Sequence, residues 1–197
     1  MAKSYPWEYH PHLTEDRIVA VACLIVDGRQ AAVERFDEEA GDNGWTLGCC
    51  AFQYGRARIL RAVDDGTHDW LGVIDRSLQL IFTIGEVPVR IYRGEAEEPT
   101  IRTMRQSRNE LRQLGFSFDD RDEGHDLAYR FAIETDIDGS VLAVKFVGLR
   151  GETATLNWDV PIAAGLRSGA VGRPATETVE LDAPTIGVRE REIKTGD

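Results

Sequence analysis

Apolar residues near the start of the chain recur every three or four positions, which is the spacing of an amphipathic helix. The positions concerned are Ile18, Val21, Ala22, Ile25, Ala32, Val33 and Phe36. Thr14 precedes them as a candidate N-cap, so we predict a helix from Thr14 to Phe36. The pair Asp27-Gly28 is also typical of a hairpin turn, and a hairpin over the same residues is the alternative. If the segment is helical, Gly28 is a weak point that costs about 1 kcal/mol relative to alanine.

A second apolar stripe, which begins at Trp45 and ends at Val63, predicts another helix. Alternating apolar and polar residues then indicate a series of short strands. The strands predicted from this alternation cover residues 70–74, 78–84, 87–92, 127–134, 141–149 and 153–160. Gly85-Glu86 is typical of a type II′ turn between two of them. Pro88 predicts that the strand after this turn lies at a sheet edge there or begins later.

Pro99 marks the start of a third helix, which we predict from Thr100 to Leu114. Because strands adjoin strands along the chain, we predict an α+β fold with a mostly antiparallel sheet of about five strands. We expect the three helices to pack largely on one face of that sheet. Residues 1–164 are expected to form this single domain, opened by an extended N-terminal arm, and residues 165–197 to form a weakly structured polar tail.

The chain is acidic, with 34 Asp plus Glu against 23 Lys plus Arg in 197 residues and a net charge of -11. This charge makes general binding to nucleic acids or to anionic membranes unfavourable, because phosphate groups repel it. The first residues lack a secretory leader, and no apolar run is long enough to span a bilayer. We therefore expect a soluble, cytoplasmic protein.

The three cysteines, Cys23, Cys49 and Cys50, fit no metal-binding spacing, and adjacent cysteines rarely form a disulfide with each other. We therefore expect three reduced thiols. Cys50 lies on the apolar side of the second predicted helix, so we expect it in the core.

Five arginines form the predicted binding surface. Arg105, Arg108 and Arg112 share one side of the third predicted helix, and Arg90 and Arg93 in the preceding strand extend this basic region. The planar guanidinium fork matches the oxygen atoms of phosphates and carboxylates, so such a surface is suited to an acidic partner. The competing explanation is that these arginines pair with the chain's own carboxylates or are simply solvated.

A second basic run, Arg56, Arg58 and Arg61, lies in the second predicted helix. We interpret these residues as solvated arginines beside core aromatics, and a surface that stacks nucleic-acid bases is the alternative. No phosphate loop, dinucleotide fingerprint, nucleophile elbow or zinc-protease motif is present in the sequence. The sequence therefore identifies no catalytic residue, and we expect neither a metal ion nor another cofactor.

The function that these observations favour is that of a binding or regulatory protein that acts through a macromolecular partner, most simply another protein. The arginine-bearing helix is the candidate interface. One alternative is a metal-dependent hydrolase or nuclease that uses the arginines to clamp a phosphate-bearing substrate. The other is an acidic inhibitor whose carboxylates mimic phosphate and occupy a basic partner.

Changing Arg105, Arg108 and Arg112 together to Glu is expected to abolish capture of the protein partner and to leave the melting temperature nearly unchanged. The reason is that the reversal of charge affects the interface and not the core. Pull-down with the wild-type chain and the triple variant, next to thermal melting of both, measures the two effects. Unaltered capture by the triple variant would rule out this surface as the interface.

Overall fold

A computed structural model describes residues 4–100, 127–150 and 153–162. The helices in these ranges are α1 (Pro6–Tyr9), α2 (Glu15–Val33) and α3 (Gly44–Asp64). The strands are β1 (Leu71–Asp75), β2 (Ile81–Ile84), β3 (Val87–Arg93), β4 (Ala128–Thr135), β5 (Val141–Arg150) and β6 (Thr153–Asp159). The predicted α+β class is therefore confirmed. No helix in the described ranges is long and apolar enough to cross a membrane.

Two predicted parts of the chain lie outside the described residues. The third predicted helix is described only at its first residue, Thr100, so Arg105, Arg108 and Arg112 fall outside the described ranges. The polar tail expected over residues 165–197 also lies outside them. The helix and the tail both stay predictions from the sequence.

The sheet has six strands in the order β1-β2-β3-β4-β5-β6, and it is mixed. β3 and β4 run parallel, whereas every other neighbouring pair is antiparallel. The prediction for the sheet was therefore wrong in two respects: the sheet has six strands rather than about five, and it is mixed rather than mostly antiparallel. Parallel neighbours need a crossover that carries the chain back to the same end of the sheet, and residues 94–127 form this connection.

The hairpin between β2 and β3 has the turn that Gly85-Glu86 predicts. Gly85 has a φ of +61°, which the first central residue of a type II′ turn requires. Pro88 pairs with Thr83 of β2, whereas β3 meets β4 only from Val89 onward. Pro88 therefore stands where β3 still has an open edge on the β4 side, and its missing N–H breaks no bond to β4.

The segment for which the sequence allows a helix or a hairpin is a single helix, α2, which runs through Asp27-Gly28. Gly28 is the point where α2 crosses α3 most closely. A Cβ built on Gly28 would lie 2.5 Å from the Cα of Gly55 and 2.8 Å from the carbonyl carbon of Tyr54, so only hydrogen fits between the helices there. The expectation that Gly28 is a weak point is corrected, because its missing side chain permits the helix–helix contact.

The main core lies between the α2–α3 pair and one face of the sheet. Its fully buried side chains include Ile18, Val21 and Ile59 from the helices and Phe82, Val89, Phe131 and Phe146 from the strands. A smaller apolar cluster lies on the other face of the sheet and consists of Ala96, Ala128, Ala132, Val147 and Leu149. The two long helices that the structure describes, α2 and α3, therefore pack on the same face of the sheet.

The N-terminal segment is expected to be extended, but Pro6–Tyr9 forms one helical turn. The carboxylate of Glu8 accepts hydrogen bonds from the backbone N–H groups of Ser4 at 2.6 Å and Tyr5 at 2.8 Å, which closes this turn. Tyr9 is buried, and its hydroxyl lies 3.5 Å from the carbonyl oxygen of Thr155. The segment is therefore helical rather than extended, and Tyr9 anchors it to β6.

Gly28→Ala is expected to lower the free energy of unfolding by about 1–3 kcal/mol, because the added methyl group forces the two helix backbones apart. Gly55→Ala is the matched control, since a Cβ on Gly55 meets its nearest atom, the Cα of Ile25, at an ordinary 3.6 Å. This control is expected to be neutral or to stabilise by up to about 1 kcal/mol through helix propensity. Urea unfolding measures both values. A stabilising effect of Gly28→Ala would contradict the close helix crossing.

Candidate functional site

A chamber lies on the helix-facing side of β3, near the end of that strand. Its volume is about 160 Å³, and α2, α3, β3 and β4 all contribute to its walls. The apolar walls are formed by Ile25, Ala51, Phe52, Ile91 and Ile133. We call this cavity the arginine chamber, because the two cations that line it are Arg29 and Arg93.

Arg29 follows Gly28 on α2, and its side chain is almost completely buried, with 5% of its surface exposed. Its Nε donates a hydrogen bond of 2.5 Å to the carbonyl oxygen of Gly139 in the turn between β4 and β5. Its Nη2 is buried and has no hydrogen-bond partner among the described residues. Buried guanidinium groups are normally paired with an anion, so a buried guanidinium without one has a physical cost and calls for an explanation.

Arg93 is the last residue of β3, and its exposed side chain lines the same chamber. Within the described part of the chain it takes part in no hydrogen bond or ion pair. Burial lowers the pKa of the Arg29 guanidinium, the positive charge of Arg93 lowers this pKa further, and Asp138 acts in the opposite direction. Two like charges therefore share a chamber to which the described residues contribute no carboxylate.

A second cavity, which we call the outer cleft, adjoins the arginine chamber at the edge of β3. Its volume is about 370 Å³, and Phe52, Ile91 and Arg93 line both spaces. The cleft opens where β3 extends past its last pairing with β2. Arg90 and Arg130 also line it. These two arginines are paired across β3 and β4 on the face opposite the helices, and both have further interactions within the protein.

The carboxylates near β3 lie in a different cavity, the acidic cleft, which has a volume of about 610 Å³ and which Arg93 also lines. Its acidic lining residues are Glu95, Glu97, Glu134 and Asp136. Lys145 lies 3.7 Å from carboxylate oxygens of both Glu134 and Asp159. Among the described residues, no group of three or more His, Cys, Asp or Glu side chains is arranged to hold a metal ion.

The structure places two of the five predicted binding residues. Arg93 reaches the arginine chamber, whereas Arg90 lies on the opposite face of the sheet because side chains alternate along a strand. Arg105, Arg108 and Arg112 lie outside the described ranges.

Sequence reasoning missed Arg29, although the sequence contains a signal for it. Arg29 falls four residues after Ile25 and three before Ala32, so it occupies a position of the apolar face of α2. A charged residue at such a position is either paired in the core or functional, and this spacing alone was sufficient to select Arg29 as a candidate.

Arg56 has a structural role, whereas the interpretation of the second basic run was that its arginines are solvated. Its guanidinium donates hydrogen bonds to the carbonyl oxygens of Arg76 and Ser77. These bonds attach the loop between β1 and β2 to α3. The same loop contributes Gln79 to the outer cleft, so Arg56 helps to position one wall of that cleft.

The three thiols are free, as expected, but Cys50 is exposed rather than buried in the core. Leu47 and Ala51 take the buried positions on that side of α3. Cys23 is half-buried. Burial raises the pKa of its thiol, and the nearby negative charge of Asp27 raises this pKa further. A raised pKa keeps Cys23 protonated and therefore weakly nucleophilic at neutral pH.

Comparison with known proteins finds no family model, no curated protein and no solved structure that matches this chain. The candidate site is therefore assigned from its own geometry.

Gly139→Ala is expected to lower the free energy of unfolding by about 1–3 kcal/mol, because Gly139 has a φ of +86° and a new Cβ would lie 2.5 Å from Cδ2 of Leu47. Gly66→Ala is the control. Gly66 also has a positive φ, of +63°, but a Cβ there meets no atom within 4 Å, so only the conformational cost of about 1 kcal/mol remains. Urea unfolding of both variants gives the difference. Equal losses would show that the turn that holds Arg29 is not pressed against α3.

Proposed function

We propose that this protein is a binding protein without catalytic activity that recognises a small anionic molecule in the arginine chamber. The observation that carries the proposal is that the guanidinium groups of Arg29 and Arg93 line one chamber with apolar walls, to which the described residues contribute no carboxylate. An anion in the chamber would neutralise the repulsion between these two groups.

The environment of the two arginines makes an anion a favourable occupant. The apolar walls lower the local dielectric constant, and charge-assisted hydrogen bonds are stronger there than in water. Asp138 influences Arg29 electrostatically, but its carboxylate accepts hydrogen bonds from the backbone N–H and the hydroxyl of Ser140 and forms no ion pair with Arg29. Asp138 therefore does not neutralise Arg29 through a direct contact.

A small molecule fits this site better than a protein surface does. Arg29 is only 5% exposed, so a flat partner cannot reach its guanidinium without opening the helix–sheet contact. A ligand that enters a chamber of about 160 Å³ can reach it directly. The macromolecular interface predicted from the sequence comprises Arg90, Arg93, Arg105, Arg108 and Arg112, so it shares Arg93 with the ligand site proposed here.

Arg93→Gln is expected to weaken anion binding about tenfold or more, because it removes one charged donor from the chamber. The binding probes are sodium phosphate, sodium acetate and sodium benzoate, each titrated against sodium chloride at the same ionic strength. The rise in melting temperature with anion concentration reports binding, since a ligand specific for the folded state stabilises it. At least one of the three anions is expected to raise the melting temperature of the wild-type chain.

Arg61→Gln is the matched control, because Arg61 is an exposed arginine in the last turn of α3 and is absent from the chamber lining. It changes the net charge by the same amount as Arg93→Gln and is expected to leave every anion response unchanged. If none of the three anions stabilises the wild-type chain, or if the two variants respond alike, the proposed function is wrong.

A further inference from the structure

We infer that the ligand of the arginine chamber is a monocarboxylate whose apolar body is about the size of one six-membered ring. The inference rests on the proposed function and adds the chemical class of the ligand. Three features of the chamber lead to it: its volume, the character of its walls and the number of donors available to the anionic group.

The volume limits the body of the ligand. An apolar cavity of about 150 Å³ in another protein holds one benzene molecule. The arginine chamber, at about 160 Å³, therefore has space for a single ring or a branched chain of similar size. A nucleotide or a sugar phosphate with a base is too large for this space.

The walls favour an apolar body over a polar one. The apolar walls are formed by Ile25, Ala51, Phe52, Ile91 and Ile133. Phe52 offers an aromatic side chain for contact with a ring. Hydroxyl groups of a sugar or of a small polyol would lose hydrogen bonds to water on entry and would find few acceptors. An apolar ring gains free energy on leaving water in the same place.

The donors favour a carboxylate over a phosphate. Nε of Arg29 is already engaged with the carbonyl oxygen of Gly139 and its Nη2 is fully buried, so Arg29 presents only the rest of its guanidinium to the chamber and Arg93 offers a second guanidinium from the rim. This set suits the two oxygens of one planar carboxylate. A phosphate dianion presents three oxygens and twice the charge, and proteins usually satisfy it with several backbone N–H groups at a helix N-terminus. The chamber-lining residues of α3 begin at Gly48, one turn inside the helix that starts at Gly44.

The deciding experiment compares three probes at about 10 mM and matched ionic strength: sodium benzoate, its neutral analogue benzamide and sodium phosphate. Benzoate is expected to raise the melting temperature of the wild-type chain by about 3 °C or more, and the other two probes by less than about 1 °C. Arg93→Gln is expected to remove most of the benzoate effect.

A second variant tests occupation of the apolar space. Gly48→Leu is expected to fill the chamber and to abolish the benzoate effect. A Cβ on Gly48 meets only Nη1 of Arg93, at 3.9 Å, so the variant has space to fold. Gly44→Leu places the same side chain on the same helix where a Cβ meets no atom within 4 Å, and it is expected to keep the full effect.

The outcomes separate the inference from the proposed function. Stabilisation by phosphate that depends on Arg93, without stabilisation by benzoate, would overturn the carboxylate class and leave the anion site intact. Equal stabilisation by benzoate and benzamide would show an apolar cavity that does not recognise charge, and would overturn both. A benzoate effect that survives Gly48→Leu would overturn binding within the chamber.

Discussion

The close crossing of α2 and α3 at Gly28 and Gly55 determines where a chamber can form beneath these helices. Because no side chain separates the backbones at Gly28, the two helices lie side by side over one face of the sheet. Arg29 follows Gly28 directly, and Ala51 and Phe52 lie one helical turn before Gly55. The residues that line the chamber are thus carried by the same turns that make the crossing, so the site depends on a contact that only glycine permits.

The spacing of apolar residues was sufficient to locate the elements from α2 to β6, but it does not specify which strands pair with each other. Except for α1, the helices and strands of the described ranges follow from spacings of three to four and of two residues, and Gly85-Glu86 identifies its own turn. The parallel pairing of β3 with β4 depends on a long connection over residues 94–127, and the spacing within each strand does not show in which direction the next strand runs. Gly28 was misjudged for a related reason, because helix propensity describes an isolated helix and ignores its neighbour.

Only part of the site could be predicted from the sequence, because the key contact of the site joins residues that are distant along the chain. Arg93 was selected together with Arg90, although the alternation of a strand sends these two side chains to opposite faces. Arg29 was overlooked, and the carbonyl group that fixes it belongs to Gly139, 110 residues further along the chain. Nothing near Arg29 in the sequence indicates this acceptor. The sequence does show a charged residue at an apolar position of α2. This position indicates that the residue needs a partner, but it does not identify the partner.

The net negative charge of the whole chain affects which anions such a chamber can bind. A net charge of -11 repels anions at long range, so a small inorganic anion gains little by approaching the protein. At physiological ionic strength this repulsion is screened over about 8 Å, whereas the two guanidinium groups act at contact distance within a low-dielectric wall. A ligand that combines one negative charge with an apolar body gains from both the charge contact and the burial. The same repulsion acts on every monoanion, so the apolar body is what favours an amphipathic one over a simple one, and a dianion is repelled more strongly than either.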